Sequence, residues 1–264
     1  MFQVPSYRFQ FGMRRGGAGW FDAATSPESV RRERAAWIRD TPERCVVWLP
    51  EAESALMATV GLVQNLPESL RRMPPDAALC GALAANWEPD FLLLKRMDDG
   101  DHRLVGGCVC FPSSWSVTEK LGKSVTAIHD VVPELNNELG DRIRRFLGQL
   151  KPGTVFEREN WGLAAHGEYN AHPDRGLSRL EPGTPLEDVF LRVEYQAFVA
   201  LPEDVGLLFL IRLGVHPVME LLKEPDVGRD LRRMLESMPE DIAEYKGIAR
   251  ARVALIRRLD EQLG

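Results

Sequence analysis

Polar side chains recur at every second position of a strand-like segment that runs from Asp188 to Val199. Arg192, Glu194 and Gln196 share one face of this segment, whereas its odd-numbered positions form an apolar face. Three interpretations are open: a polar-lined cavity, a face in contact with water, or an internal ion pair between Arg192 and Glu194. The next strand-like segment is apolar on both faces apart from one arginine, which favours a covered sheet. On a covered face the polar row needs mutual pairing or a ligand, because burying unpaired charge is costly.

The five histidines are the other candidates for chemistry. His129 lies among β-branched residues just before a predicted helix, where a lone histidine is either a hydrogen-bonded core residue or a ligand or acid–base group. His166 and His172 lie in a loop rich in glycine and proline, and their order is not that of a helical metal-binding pair. We expect His102 to be exposed beside a turn and His216 to lie at a strand end or turn.

Two of the four cysteines, Cys108 and Cys110, are spaced to point to the same face of one strand. Such a pair could bind iron or copper, but free cysteines more often behave as small buried hydrophobic residues. No C-x-x-C pair is present, and we expect no disulfides in a reducing compartment.

Bulk composition limits the classes of function. The formal net charge is −6, which disfavours a large nucleic-acid-binding surface. The sequence contains no apolar run of about 18 residues, the length that a membrane span needs. Its first residues lack the basic and apolar regions of a signal peptide. We therefore expect a cytosolic protein with no nucleic-acid partner and no membrane partner.

The positioning elements follow from periodicity and turn residues. Ser26-Pro27-Glu28 predicts a helix start capped by the serine. Strands and helices alternate in groups, which predicts an α+β fold with an antiparallel sheet covered by helices on one side, in a single domain spanning 1–264. The predicted strands are 7–13, 91–96, 104–111, 155–163, 188–199 and 207–213, and the predicted helices are 51–64, 135–150, 248–263 and others after 217.

Seven blocks of this sequence, in order, resemble the signature of the haem-dependent oxidative N-demethylase family. The blocks are Cys110-Phe-Pro-Ser-Ser-Trp115, Glu119-Lys-Leu-Gly122, Ala127-Ile-His-Asp-Val-Val-Pro133, Arg158-Glu-Asn-Trp161, Arg192-Val-Glu-Tyr-Gln-Ala-Phe198, Phe209-Leu-Ile-Arg212 and Tyr245-Lys-Gly-Ile248. The sequence departs from the family at Tyr195, where arginine is usual, and at Phe198, where leucine is usual. Fold and cofactor therefore transfer more safely than substrate.

The resemblance implies a PAS-like fold, in which an antiparallel sheet with flanking helices encloses a pocket for haem b and its iron. It implies oxygen-dependent removal of a methyl group from a small secondary amine such as dimethylamine, with release of formaldehyde. Electrons would come from a separate flavin and iron–sulfur reductase. The chain agrees with this division, since it has neither a dinucleotide-binding glycine motif after a strand nor ferredoxin cysteine spacing.

The resemblance also implies roles for individual residues. His129 would be the axial ligand of the iron. Glu194 would hold an ammonium substrate or pair with Arg192, while Asn160 and Gln196 would orient oxygen or water. The candidate cationic anchors for the haem propionates are Lys120, Lys123, Arg158, Arg192 and Arg212.

Two further classes of function compete with an enzyme. A PAS-like haem pocket is equally suited to sensing or storing a ligand, and no output domain in the sequence decides between the two. The pocket could also have lost haem, which would leave an interaction or structural protein.

Overall fold

The fold is built on a seven-stranded antiparallel sheet with the strand order β1-β5-β6-β7-β3-β4-β2. The computed structural model describes residues 6–7, 11–202 and 205–264. The strands are β1 (Arg14–Arg15), β2 (Val46–Trp48), β3 (Asp90–Arg96), β4 (His102–Cys108), β5 (Val155–Ala164), β6 (Phe190–Ala200) and β7 (Leu207–Pro217). The α+β class and both predicted hairpins, β3–β4 and β6–β7, are confirmed.

Eleven α-helices lie in the described part of the chain. They are α1 (Glu28–Asp40), α2 (Pro42–Cys45), α3 (Glu53–Leu62), α4 (Glu68–Arg71), α5 (Ala77–Asn86), α6 (Val125–His129), α7 (Leu135–Gln149), α8 (Val218–Leu221), α9 (Pro225–Ser237), α10 (Glu240–Tyr245) and α11 (Ala249–Leu263). None of the helices among the described residues is both long and apolar enough to cross a membrane.

The odd-numbered residues of β6 face the larger part of the core, on what we call the back face of the sheet. Ala197 and Val199 belong to a cluster with residues of the N-terminal helices α3 and α5. Leu191 and Val193 belong to a second cluster with residues of the C-terminal helices α9 to α11. The predicted apolar alternation of β6 is therefore confirmed, and two separate groups of helices cover it.

The even-numbered residues of β5 and β6 form the opposite surface, which we call the front face. Helix α7 covers one end of it through Phe146, whose ring lies 5.2 Å from that of Phe156 and 6.4 Å from that of Phe198. Helices therefore pack on both faces of the sheet, and the expectation of helices on one side only was wrong. The reason is that α7 is amphipathic and buries its apolar stripe against aromatic residues of the front face.

Three local predictions differ from the structure. Ser26 does not cap α1; its hydroxyl accepts the backbone N–H of Glu88 instead, at 2.9 Å. His102 is buried rather than exposed, because the chain after β4 folds back and pairs with that strand near Arg103. The strand predicted over 7–13 is absent at residues 7 and 11–13, while residues 8–10 lie outside the described part.

Candidate functional site

Glu194 and Gln196 of the predicted polar row lie beside residues of β5 on the front face. Asn160 is paired with Glu194 across the β5–β6 ladder, and Arg158 is paired with Gln196. The amide of Gln196 donates to Glu194 Oε2 at 2.9 Å, and the amide of Asn160 donates to the same oxygen at 3.3 Å. The register of two antiparallel strands therefore brings four of the predicted site residues together.

Arg158 is a buried cation without a matching anion. Among the described residues its Nε has no hydrogen-bond partner, and no carboxylate lies within ion-pairing distance of its guanidinium. Burial lowers the pKa of Arg158, against the opposing attraction of Glu194 and Tyr7. A desolvated guanidinium with free donors is a binding group for an anion.

The segment before α6 fixes the position of His129. Gly122 and Lys123 pair with Leu104 of β4 through two backbone hydrogen bonds of 2.8 and 3.0 Å. Ser124 then caps the helix by accepting the N–H of Ala127 at 3.1 Å, and Asp101 accepts the N–H of Thr126 at 3.2 Å. The short helix α6 is thus attached at its start to the sheet, and His129 is its last residue.

The imidazole of His129 is neutral near pH 7. Burial and, to a smaller extent, the nearby charge of Arg158 lower its pKa to about 4, while Asp101 and Asp130 act in the opposite direction. No side-chain hydrogen bond of His129 is found among the described residues. A neutral imidazole with a free nitrogen is the form that binds a metal. The imidazole of His129 also lies close enough to Arg158 for the charge of the guanidinium to affect its pKa.

The chemistry of His129 and Arg158 fits the binding of haem at this site. Haem needs a neutral axial imidazole and cations for its propionates, and His129 and Arg158 offer one of each on the same side of the sheet. No group of three or more metal-binding side chains occurs among the described residues, which is a different kind of site from one axial histidine.

Of the other predicted propionate anchors, Arg192 is already occupied and Arg212 lies on the back face. Arg192 donates to the carbonyls of Glu168, Tyr169 (2.8 Å) and Pro112 (3.4 Å) and forms no ion pair with Glu194 within the described residues. Burial lowers the pKa of Arg192 to about 10. The internal Arg192–Glu194 pair is therefore wrong, because the arginine satisfies loop carbonyls that have no strand partner.

Arg212 is on the back face, where it forms a 3.0 Å ion pair with Glu88 and lies 4.6 Å above the ring of Trp20. Its strand partner there is Tyr195. Lys120 is half-buried and Lys123 is exposed, both in the segment before α6. Arg158 is the buried predicted anchor on the side of His129, while Lys120 and Lys123 also lie near His129 and form no ion pair among the described residues.

Cys108 and Cys110 are both fully buried, with their sulfur atoms 3.8 Å apart. The prediction that they behave as small buried residues is confirmed, but β4 ends at Cys108, so Cys110 lies beyond the strand that was predicted to hold both. Their surroundings also contain the buried ion pair between Arg34 and Asp90, at 2.8 Å. Asp90 accepts the backbone N–H of Cys110, and Arg192 donates to the carbonyl of Pro112 two residues later, so both side chains hold the segment that follows β4.

Sequence reasoning missed three titratable residues near the front face. Lys246 donates to the carbonyl of Trp161 at 2.6 Å and to Asn160 Oδ1 at 3.4 Å. Burial lowers the pKa of Lys246 to about 8, with Arg158 lowering it and Glu194 raising it. Burial also raises the pKa of Tyr245, and that of Tyr7 to about 12. The block Tyr245-Lys-Gly-Ile248 was the available signal, but it carries no indication of burial.

The comparison with known families agrees with this arrangement. The family model described as "Haem-dependent oxidative N-demethylase, alpha subunit-like" matches residues 62–256, about three quarters of the chain. The matched range contains His129, Arg158, Glu194 and Lys246. The chain belongs to the haem-dependent oxidative N-demethylase, alpha subunit-like family.

Proposed function

We propose that this chain is a haem-dependent oxidative demethylase that acts on a small secondary amine. The observation that carries the proposal is a neutral His129 near a buried Arg158 beside the Glu194 carboxylate, where neither His129 nor Arg158 has a side-chain partner among the described residues. Family membership supports haem dependence and oxidative N-demethylation as the chemistry. The proposal takes 1–264 as one domain and the space between the front face and the α6–α7 segment as a PAS-like haem pocket.

His129 would hold the iron of haem b, and Arg158 would pair with a propionate. The haem, when bound, supplies oxygen activation at its iron, which no protein side chain provides. Glu194 would accept the ammonium group of the substrate through Oε1, the oxygen that receives no amide hydrogen bond in the described structure. Asn160 and Gln196 would hold the carboxylate in place, and the apolar cover of Phe146 and its neighbours would limit the access of water.

The overall reaction balances with external electrons. A methylated secondary amine, one oxygen molecule, two electrons and two protons give the primary amine, formaldehyde and water. The electrons would come from a separate flavin and iron–sulfur reductase, and the description of the family as an alpha subunit supports a partner subunit.

The first test is the absorbance of the purified protein and of two histidine variants. We expect a Soret band in the wild type, its loss or a marked shift in His129→Ala, and an unchanged band in the control His216→Ala. His216 is a suitable control because it lies at the end of β7, paired with Leu191 of the back face. A protein that binds no added haem contradicts the proposal, and a Soret band unchanged in His129→Ala contradicts the ligand assignment.

The second test is turnover. We expect formaldehyde release from dimethylamine with oxygen and an NADPH–ferredoxin reductase mixture as electron source. A haem-loaded protein that releases no formaldehyde from any small methylated amine contradicts the demethylase and favours a haem-based sensor instead.

A further inference from the structure

The end of helix α10 brings a lysine to the edge of the front face. The helix ends at Tyr245, and Gly247 follows with a φ of +68°, a left-handed conformation that suits glycine. Gly247 donates its N–H to Glu244 at 2.9 Å and redirects the chain into α11. Lys246, which stands at this turn, extends its side chain to β5.

Lys246 determines which way the amide of Asn160 points. A lysine ammonium can only donate hydrogen bonds, so its contact at 3.4 Å requires the oxygen of Asn160 to face it. The nitrogen of the same amide then faces Glu194, to which it donates at 3.3 Å. Lys246 itself is held by the carbonyl of Trp161 at 2.6 Å and lies 5.5 Å from the centre of the Trp161 ring.

The orientation of this amide decides how Glu194 is presented. Oε2 accepts N–H groups from both Asn160 and Gln196, whereas Oε1 has no hydrogen-bond partner among the described residues. If the Asn160 amide turned over, its carbonyl oxygen would face the carboxylate of Glu194, and the repulsion would displace the carboxylate. One oxygen of Glu194 is therefore kept free by a chain of contacts that begins at Lys246.

We infer that Lys246 is a positioning residue of the front-face site: through Asn160 it holds Glu194 with one oxygen free to accept a small ammonium ligand. The identity of that ligand rests on the proposed function, whereas the action of Lys246 on Asn160 does not. Lys246 thereby acquires a role that the strand pattern gave no reason to assign.

The charged groups around Lys246 define the pH range in which its action can be followed. Glu194 of β6 raises the pKa of Lys246, and Arg158 of β5 together with burial lowers it, to about 8. The neighbouring phenols titrate higher, since burial raises the pKa of Tyr245 and raises that of Tyr7 to about 12. A titration with a midpoint near pH 8 that is lost when Lys246 is substituted therefore reports the ionisation of this lysine.

The deciding experiment follows the Asn160 amide by NMR. The chain has six asparagines, so selective ¹⁵N labelling of their side-chain amides gives a small set of signals, and Asn160→Asp identifies the relevant pair. The purified protein is reduced under carbon monoxide, so that any bound haem is diamagnetic. We expect the Asn160 pair to shift with a midpoint near pH 8 in the wild type and to stop titrating in Lys246→Met.

Two outcomes of this titration overturn the inference. One is an Asn160 signal that does not move between pH 6.5 and 9.5, and the other is a shift that persists unchanged in Lys246→Met. The conservative variant Lys246→Arg, which keeps the donors and the charge, should preserve the wild-type position of the signal at pH 7. A merely structural attachment of α10 to β5 would alter stability in all variants without a titration at Asn160.

The kinetic consequence is measured on the haem-loaded protein. We expect Lys246→Met to raise the KM for dimethylamine about tenfold, the effect of weakening one charge-assisted contact, with kcat nearly unchanged. Lys246→Arg should restore most of the loss. A fall in kcat at constant KM overturns the positioning role, whereas an absence of turnover in the wild type with a normal Asn160 titration overturns the proposed function alone.

Discussion

Strands β5 and β6 carry charged side chains on both faces of the sheet, but the two faces differ in whether these side chains form ion pairs. A cleft of about 440 Å³ is lined by Arg14, Trp20, Glu157, Tyr195 and Arg212 of the back face, and also by Arg158 and Gln196 of the front-face set. The back-face charges are paired: Arg14 with Glu159 at 2.8 Å, Arg212 with Glu88 at 3.0 Å, and Glu157 with the indole N–H of Trp20 at 2.7 Å.

On the front face the charges are held without such pairs. Among the described residues, Arg158 has no carboxylate within ion-pairing distance and Glu194 receives only amide donors, while Lys246 has a pKa lowered to about 8. Desolvated groups without ion pairs reduce stability and persist where a ligand completes them. The comparison therefore favours the front face as the ligand site that the proposed function requires.

The largest expected difference between the two faces is measured by replacing one arginine on each of them. Arg158→Leu removes the unpaired cation, and we expect haem affinity to fall about 10- to 100-fold, the value of one charge-assisted hydrogen bond to a carboxylate. Arg212→Leu removes a paired cation of the back face and should leave haem affinity unchanged. Haem transfer to apomyoglobin measures both, and equal effects of the two variants would contradict the assignment.

A second pair of variants compares the carboxylates. We expect Glu194→Gln to raise the KM for a secondary amine about 10-fold or more, because the ammonium loses a charged acceptor. Glu157→Gln alters the back-face contacts with Trp20 and Gly17 and should leave KM within about twofold. Steady-state formaldehyde release gives the KM of both variants. A KM that changes only in Glu157→Gln would indicate that the site lies on the back face.

The lowered pKa of Lys246 predicts a pH dependence of stability. Its pKa is 10.5 in the reference state and about 8 in the folded chain, so between these values the unfolded chain binds more protons. Raising the pH from 8 to 10 should therefore stabilise the wild type relative to Lys246→Met. Urea unfolding at several pH values measures this difference, and the exposed Lys151→Met variant is the control that should follow the wild type.

The smallest expected effect concerns the departure from the family pattern at Tyr195. Its side chain is 38% exposed on the back face, opposite Arg212 in the ladder. We expect Tyr195→Arg to change the free energy of unfolding by less than about 0.5 kcal/mol and the KM by less than about twofold. A large change in KM would show that the two faces are coupled through β6.

Much of the framework is encoded in local pattern. Strict alternation in β6 predicts which side chains share a face, because successive residues of a strand point to opposite sides. The antiparallel hairpins and the amphipathic helix α7 follow equally from spacing and turn residues. The pairing of Asn160 with Glu194 could not be predicted in this way, since register between strands distant in sequence depends on the whole sheet.

The family, the polar row of β6 and the segment that carries His129 follow from sequence patterns alone. The availability of each arginine follows from packing: Arg192 lies on the same strand as Glu194 but donates to loop carbonyls, whereas Arg158 of the neighbouring strand has no ion pair among the described residues. Packing also brings Lys246, 86 residues from Asn160, into contact with that residue's amide. The physical reason is that burial and hydrogen-bond partners arise from packing between distant segments, and these decide whether a charged side chain is a structural contact or a binding group.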